Sequence, residues 1–302
     1  MNTRQLQYAL ELAKLLNFSQ VAEKLNISQP ALSKQILNLE KDIGIKIFDR
    51  NSTPIKITPA GEYFLREAQE LLYKENQLIR SLDRFKSGKE GRLTIGISPF
   101  RSSYLMPSIA KKIQERFPGI QIFLREANST TLRKEVAEGK YDFAIINLPI
   151  DESILDVTPI EPDTLVLTIP NTMLHLLSNP PANTLAEIDF KSCKELPFIV
   201  VGQTQEMRQL FDKLCAQSDF HPQIAMEVVG LTTAWAMSHS GIGATLLPLQ
   251  FLNEASLYDN VSLFKIKNNN YLRQPAVVTR RDQYISDYAK YAINLLTNKN
   301  KY

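Results

Sequence analysis

The sequence predicts a multidomain chain of α+β and α/β class. It combines an N-terminal winged helix-turn-helix, a long linker helix and a C-terminal α/β domain of two lobes. Three patterns predict this: short helical repeats and a small hairpin pattern fill residues 1–58, a heptad repeat follows, and strand and helix patterns alternate from residue 91 onward. At 302 residues, the chain is too long for one typical core, so two or three folding units are expected.

The net positive charge lies at one end of the chain. Residues 1–58 hold eight Lys and Arg against five Asp and Glu, so the formal charge of +3 is located there. The remaining 27 basic and 27 acidic residues cancel. A polyanion, if one binds, is expected at this N-terminal segment.

Composition excludes several classes of protein. With 44% hydrophobic and 22% charged residues, neither a disordered nor a fibrous chain is indicated. No run approaches the ~20 apolar residues that span a bilayer, and residues 1–10 lack the order of a signal peptide, so a cytoplasmic protein without a membrane partner is expected. Cys193 and Cys215 suggest neither a disulfide framework nor a metal site. Ordinary reduced thiols are expected, with a redox-sensing thiol as the alternative.

The first three helices follow from apolar spacing and from their caps. Thr3, Ser19 and Ser28 are predicted N-caps, because a side-chain oxygen there accepts a backbone N–H. Pro30 fits the first turn of the third helix, and Gly44 ends that helix. The second and third helices then form a helix-turn-helix. Residues predicted to face inward are Leu6, Ala9, Leu10, Leu12, Ala13 and Leu16, then Val21, Ala22 and Leu25, then Ala31, Leu32, Ile36 and Leu39.

A hairpin pattern, the wing, follows the third helix. Residues 45–50 and 54–57 alternate apolar with polar side chains around a polar turn at residues 51–53. Alternation on both sides of a short polar turn is typical of a β-hairpin.

Thr58 is predicted to cap a long helix that reaches about Phe85, with Pro59 at its first position. A domain of this size rarely covers a full heptad seam by itself, so a partner helix from a second copy is expected. Packing onto its own domain is the alternative. The seam consists of Phe64, Ala68, Leu71, Leu78, Leu82 and Phe85.

Beyond a polar hinge, alternating patterns predict parallel sheets with helices between the strands. The last strand and helix are expected to cross back into the first lobe, which makes a clamshell of the periplasmic-binding-protein type with a ligand crevice between its lobes. Strands are predicted at 93–97, 120–126, 143–146, 165–169, 198–201, 224–228, 242–246 and 271–279, and helices at 103–117, 129–138, 232–238 and 283–297. The predicted domains are 1–58 (winged helix-turn-helix), 59–90 (linker helix and hinge), 91–162 (first lobe), 163–266 (second lobe) and 267–302 (return to the first lobe).

Motifs along essentially the whole chain resemble the signature of the LysR-type transcriptional regulators in order and spacing. The resemblance implies a regulator that is not an enzyme. The residues that carry it are Arg4-Gln5-Leu6, Asn17 to Ala22, Ile27 to Ile36, Leu39-Glu40, Gly44, Phe48-Asp49-Arg50 and Thr58 to Gly61, then Gly96, Pro107, Phe117-Pro118, Asp142 to Ile145 and Gly241 to Pro248.

In such a regulator the third helix reads the major groove of double-stranded DNA. Gln29, Ser33 and Lys34 would meet base edges, and Pro30 a thymine methyl. Lys34 stands where many relatives have Arg, so a bidentate contact is replaced by a point donor. The phosphate contacts expected at helix N-termini and on the wing are Ser19, Gln20, Ser28 and Arg50. Ser19 and Ser28 are caps with or without DNA, and Arg50 has the alternative of pairing with Asp49 or Glu40.

The resemblance also places a small-molecule effector between the lobes and implies no other cofactor. Helix N-termini after Ser98 and Ser129, together with Arg101, favour an anion. Arg101 has the alternative of being a solvated loop residue. The segment from Pro170 to Pro181 lacks the His-Pro-Leu order common in relatives, so His175 is expected to be structural. The implied effector residues are Ser98, Pro99, Phe100, Arg101, Ser102, Asn128, Ser129, Asn147, Gly202, Gln203, Thr204, Val229 and Gly230.

Three other functions compete with that of an effector-gated regulator. An exported binding protein would have no use for residues 1–85, and an enzyme lacks its motifs, because neither a nucleophile elbow, a phosphate-binding loop nor a zinc-binding helix motif is found. A DNA-binding protein without an effector is the runner-up. The resemblance further implies a dimer of dimers on an inverted-repeat operator and RNA polymerase as a partner; it leaves activation or repression open.

Overall fold

The computed structural model describes residues 1–50, 52, 54–82, 91–181, 183–252, 259–267 and 273–297. The chain divides into two compact units, Met1–Ser87 and Gly88–Tyr302.

The N-terminal unit begins with a trihelical core. Its helices are α1 (Thr3–Leu15), α2 (Phe18–Lys24) and α3 (Gln29–Ile43). Their inward faces pack around Leu12 and Ile36, both fully buried. Ala31, expected to face inward, is exposed, because it lies in the first turn of α3, before the helix reaches the core.

Asparagines cap the first two helices, which corrects two predicted caps. Asn2 forms a capping box with Gln5, and each backbone N–H lies 3.0 Å from the other side chain. The Asn17 side chain accepts from the N–H groups of Ser19 and Gln20. Thr3 and Ser19 are therefore first-turn residues, since Asn one or two positions earlier already satisfies the free N–H groups. Ser28 does cap α3, and Gly44 ends it at φ 75°.

The wing is shorter than its sequence pattern. Among the described residues of the wing, only β1 (Phe48–Asp49) and β2 (Lys56–Ile57) pair, antiparallel. At the start of β1, the Glu40 carboxylate accepts the N–H groups of Ile47 and Phe48 at 2.8 and 3.1 Å. A side chain therefore satisfies backbone groups that a strand partner would otherwise bond. Asn51 and Thr53 of the predicted turn lie outside the described residues.

The long helix α4 (Pro59–Leu82) follows directly. Thr58 caps it, because its hydroxyl accepts the N–H of Gly61 at 2.9 Å and donates to the Lys46 carbonyl. Gly61 is required by close packing, since a Cβ there would lie 2.2 Å from the Ile47 carbonyl oxygen.

The predicted seam of α4 divides into two parts. Ala68 is buried in its own unit and Phe64 packs against that unit's core, so these two residues follow the alternative of packing onto their own domain. Leu71, Leu78 and Leu82 are 50%, 62% and 50% exposed. Phe85 lies outside the described residues.

The first sheet of the C-terminal unit has the order β4-β3-β5-β13-β6. Strand β3 runs parallel to β4 and β5, whereas β13 runs antiparallel to β5 and β6. Strand β13 comes from the end of the chain, so the chain does return to this sheet. The strand bounds are β3 (Gly91–Ile97), β4 (Ile120–Glu126), β5 (Phe143–Asn147), β6 (Leu155–Pro159) and β13 (Pro275–Arg280).

The second lobe holds a sheet of order β11-β7-β12-β8 and a parallel pair of β9 with β10. Strand β7 is antiparallel to both of its neighbours, so the expectation of wholly parallel sheets is wrong for both lobes. In the first sheet the strand that runs opposite to its neighbours is β13, and in the second sheet it is β7. The bounds are β7 (Leu165–Pro170), β8 (Glu187–Ile188), β9 (Pro197–Val201), β10 (Gln223–Val228), β11 (Thr245–Pro248) and β12 (Val261–Ile266).

The helices of this unit cover the sheets. Helix α5 starts four residues before its predicted start, because Pro99 is tolerated in a first turn. Helix α7, absent from the sequence prediction, packs Met207, Leu210 and Leu214 into the second-lobe core. The bounds are α5 (Pro99–Arg116), α6 (Ser129–Ala137), α7 (Glu206–Gln217), α8 (Leu231–His239) and α9 (Asp287–Thr297). Across the described residues, no helix is long and apolar enough to cross a bilayer.

Candidate functional site

The start of α3 and the start of α2 form an exposed polar face in the N-terminal unit. Six of the eight side chains predicted to touch DNA are exposed on it, and Ser33 is half-buried. The Ser28 hydroxyl is already the acceptor for Ala31 N–H. The exposed residues are Ser19, Gln20, Ser28, Gln29, Pro30 and Lys34.

Arg50 is held inside the unit and does not extend from the wing. Its guanidinium donates to the Glu40 carboxylate at 2.9 Å and to the Ser33 hydroxyl at 3.4 Å. It also lies over the ring of Phe18, 5.2 Å from the centroid. The structure therefore shows Arg50 paired with Glu40, which was the alternative to a DNA contact. These contacts connect the wing to α3 and α2.

Glu40 accepts hydrogen bonds from both Arg50 and the backbone of the wing. We therefore expect Glu40→Ala to destabilise the N-terminal unit by about 3 kcal/mol. The substitution leaves two buried N–H groups and the Arg50 guanidinium without their acceptor. Urea unfolding of the full chain measures the effect. Glu23→Ala, at an exposed position of α2, is the matched control. Equal unfolding midpoints for the two variants would show that Glu40 does not hold the wing.

The C-terminal unit contains a cavity of about 590 Å³ between its two lobes. Helices α5, α6, α7 and α8 all begin at it, with N-caps Ser98, Asn128, Gln205 and Gly230. Because free N–H groups and the positive ends of helix dipoles point outward at helix N-termini, the cavity favours negative charge.

Most residues predicted for the effector line this cavity. Those found there are Ser98, Pro99, Phe100, Arg101, Asn128, Ser129, Thr204, Val229 and Gly230. Ser102 and Asn147 are buried behind the wall, each 5% exposed. Gly202 and Gln203 are not among the lining residues, because they form the turn before α7, in which the Gly202 carbonyl accepts the Gln205 N–H. Lining residues that the sequence reasoning missed are Ala127, Thr130, Arg133, Gln205, Glu206, Met207, Gln209, Leu231, Thr232 and Arg273.

Arg101 is a buried helical residue, which corrects its description as a loop residue. It donates to Asp163 at 2.8 Å and to the Asn147 side chain at 2.9 Å. Burial alone would lower the pKa of Arg101, but the charge of Asp163, together with Tyr104 and the hydrogen bonds to both side chains, raises that pKa overall. Asp163 also lies 3.4 Å from Arg273, whose pKa is lowered by burial. Arg101 is thus committed to an internal ion pair.

Glu206 extends from α7 in the second lobe to residues of the first lobe. The Asn147 amide donates to its carboxylate, and Arg273 and Arg133 lie 3.6 and 3.8 Å from it. Burial opposes ionisation of Glu206, but the hydrogen bond from Asn147 and the charge of Arg273 lower its pKa overall. The cavity therefore contains a carboxylate as well as arginines.

The other chemistry considered from the sequence finds little support here. Burial raises the pKa of Cys193 and of Cys215 to about 12, so neither thiol ionises readily, as a redox sensor requires. The described part of the chain holds no group of His, Cys, Asp and Glu suited to a metal ion.

Two family models match the chain. The one described as bacterial regulatory helix-turn-helix protein, lysR family, matches residues 3–62. The one described as LysR substrate binding domain matches residues 86–301. Together they contain both the exposed face of α3 and the whole cavity.

Curated relatives carry similar descriptions. The HTH-type transcriptional regulator AlsR of Bacillus subtilis is 29% identical over 250 residues, which is 82% of this chain and 80% of that protein. A probable RuBisCO transcriptional regulator of Chlorokybus atmophyticus is 27% identical over 289 residues, covering 93% of this chain and 90% of that protein.

Solved structures show the same fold. A full-length OxyR variant from Pseudomonas aeruginosa has a TM-score of 0.65 at 22% identity, covering 98% of this chain and 97% of that one. Full-length CbnR in complex with its target DNA has a TM-score of 0.59 at 16% identity, covering 98% and 100%. Since the LysR substrate-binding model alone spans more than two thirds of the sequence, this chain belongs to the LysR family and is a transcriptional regulator, not an enzyme.

Proposed function

We propose that this regulator binds a small anionic effector in the cavity between its lobes and that this binding changes its affinity for an inverted-repeat operator. The cavity is the observation that carries the proposal. Its volume of about 590 Å³ falls within the range typical of small-molecule sites. Helix N-termini surround it, and Arg133 and Arg273 line it, so an anion is favoured over a cation or an apolar ligand.

The exposed face of the helix-turn-helix supports the proposed DNA contacts. Gln29, Pro30 and Lys34 stand free of the core in the first turns of α3, where a recognition helix meets base edges. Ser33 is half-buried and within 3.4 Å of Arg50, so we assign it to the edge of the contact. We propose that Ser19, Gln20 and Ser28 contact phosphates and that Arg50 contributes by holding the wing.

The exposed half of the α4 seam supports self-association. Leu71, Leu78 and Leu82 present an apolar stripe, and each of these side chains is at least half exposed. A second copy would bury it and place two recognition helices on an inverted repeat. We propose a dimer through this stripe, a dimer of dimers on DNA, and RNA polymerase as the partner at the promoter.

Ser33→Arg is expected to abolish specific operator binding, because a long cation would collide with Arg50 and displace the first turns of α3. Operator fragments can be obtained by genome-wide mapping of the bound DNA. A gel-shift titration then measures affinity, and light scattering confirms an unchanged oligomer. Lys134→Arg, which introduces an arginine in α6 of the C-terminal unit, is the control. An affinity within twofold of the unaltered chain would count against the assignment of α3 as the reading helix.

The effector site has its own test in Val229→Trp. Val229 is 90% exposed at the cavity rim, so an indole there fills space without disturbing the core. Thermal-shift screening of anionic metabolites should find a ligand that stabilises the unaltered chain and fails to stabilise this variant. A ligand that stabilises both equally would remove the cavity as its site. If no ligand is found, a DNA-binding protein without an effector becomes the better description.

A further inference from the structure

Glu206 lies in a position that has the chemistry of a carboxylate receptor. Its own helix, α7, belongs to the second lobe, whereas its partners Asn147, Arg133 and Arg273 belong to β5, α6 and the segment before β13. The carboxylate therefore reaches across the cavity. An amide and two guanidinium groups surround it, and these are the groups with which proteins bind free carboxylates.

The arginines are only partly satisfied by Glu206. Charge-assisted N–H···O contacts are ~2.7–2.9 Å long when they are well formed, but Arg273 and Arg133 lie 3.6 and 3.8 Å from Glu206. The Nε atoms of both arginines are buried and have no hydrogen-bond partner within the described residues. A carboxylate that is not tethered to α7 can approach both guanidinium groups more closely than Glu206 does.

The charges around Glu206 set the class of ligand. Within the described part of the chain, Arg101, Arg133 and Arg273 form one connected network with Asp163 and Glu206, with a net charge of +1. Loss of Glu206 from this network would leave three arginines and a single carboxylate, Asp163, and so raise the net charge to +2. Exchange of Glu206 for one incoming carboxylate restores the balance.

We infer that Glu206 is a tethered carboxylate that links the two lobes in the absence of effector, and that the effector presents a carboxylate which displaces it from Arg133 and Arg273. This inference rests on the proposed effector function of the same cavity. Displacement releases the start of α7 from the first lobe, so ligand binding is coupled to a change between the lobes. Glu206 also lowers the apparent affinity, because the receptor is free only in the fraction of molecules in which the link is open.

Removal of the tethered carboxylate gives a direct test with the purified full-length chain. Glu206→Ala removes a fragment equivalent to acetate, so sodium acetate is the probe, with sodium chloride and sodium phosphate at matched ionic strength as comparisons. Isothermal titration should show acetate binding about tenfold tighter to Glu206→Ala than to the unaltered chain, the gain expected if the link is closed in nine molecules of ten. Glu195→Ala, an exposed glutamate of the same lobe, should behave like the unaltered chain.

Two further variants test whether acetate binds at Arg273 and provide a substitute if Glu206→Ala misfolds. Arg273→Met in the Glu206→Ala background should abolish the gain. Glu206→Gln keeps the side-chain volume but not the charge, so it should show a smaller gain in the same direction. If Glu206→Ala does not fold, this variant decides the question.

The possible failures are distinguishable. Equal acetate affinity in Glu206→Ala, Glu206→Gln and the unaltered chain would overturn the tethered link. Phosphate binding tighter than acetate would overturn the carboxylate class. Both results leave the proposed function standing as long as a metabolite is found whose binding Val229→Trp blocks.

Discussion

Asp163→Ala should destabilise the C-terminal unit by about 3–5 kcal/mol, the cost of leaving a buried charge without its partner. Asp163 is 3% exposed and faces two arginines, Arg101 at 2.8 Å and Arg273 at 3.4 Å. Arg101 is itself buried, so the substitution leaves its charge without its carboxylate partner. Urea unfolding of the full chain, followed by tryptophan fluorescence, measures the loss; the sole tryptophan, Trp235, lies in the second lobe.

Glu161→Ala is the control for this prediction, because Glu161 is an exposed carboxylate two residues away. It should unfold at the same urea concentration as the unaltered chain. An Asp163→Ala midpoint equal to that of the control would show that the arginines find other compensation, and the ion pair would then be dispensable for the fold.

Leu78→Asp should convert the protein from dimers to monomers at micromolar concentration. It should also reduce operator affinity by at least about a hundredfold, since a monomer engages only one half-site. Leu78 is 62% exposed in the middle of the apolar stripe, between Leu71 and Leu82. A buried, unpaired aspartate at the centre of an apolar interface is strongly unfavourable. Sedimentation velocity measures the oligomer, and a gel shift measures the affinity.

Asn76→Asp introduces the same charge on α4 at an exposed position off the stripe, so it should remain dimeric. The N-terminal unit of Leu78→Asp should keep its unfolding midpoint, because Leu78 is no part of its core. A Leu78→Asp protein that sediments as the unaltered one does would move the self-association surface elsewhere.

Local signals predicted several parts of this structure well. Strand Ile120–Glu126 has the predicted bounds, because an alternating run is enclosed by Pro118-Gly119 and Asn128. Ser28, Pro30 and Gly44 place the ends of α3 through capping chemistry that depends only on neighbouring residues. Helix α7 carried a readable signal in the spacing of Met207, Leu210 and Leu214, and the sequence reasoning overlooked it.

About half of the residues that line the candidate cavity were predicted, but its ion pairs were not. The resemblance to the LysR-type regulators implied which loops line it, and Ser98, Asn128 and Val229 of those loops do line the cavity. Glu206 and Arg273 are 67 residues apart in the sequence, and neither carries a local sign that they face each other. The same holds for Arg101 and Asp163, whose pairing turned an expected ligand contact into an internal one.

The sequence alone determined the family, the helix-turn-helix and the order of most elements, because caps, periodicities and motif spacing act over a few residues. Tertiary structure alone decided which charges meet, which half of the α4 seam stays exposed and in which direction the returning strands enter their sheets. These outcomes depend on contacts between segments distant in the chain, and burial then fixes the energy of each contact. The sequence does not show which cation a carboxylate will pair with, because the pairing depends on which residues folding brings together and buries away from water.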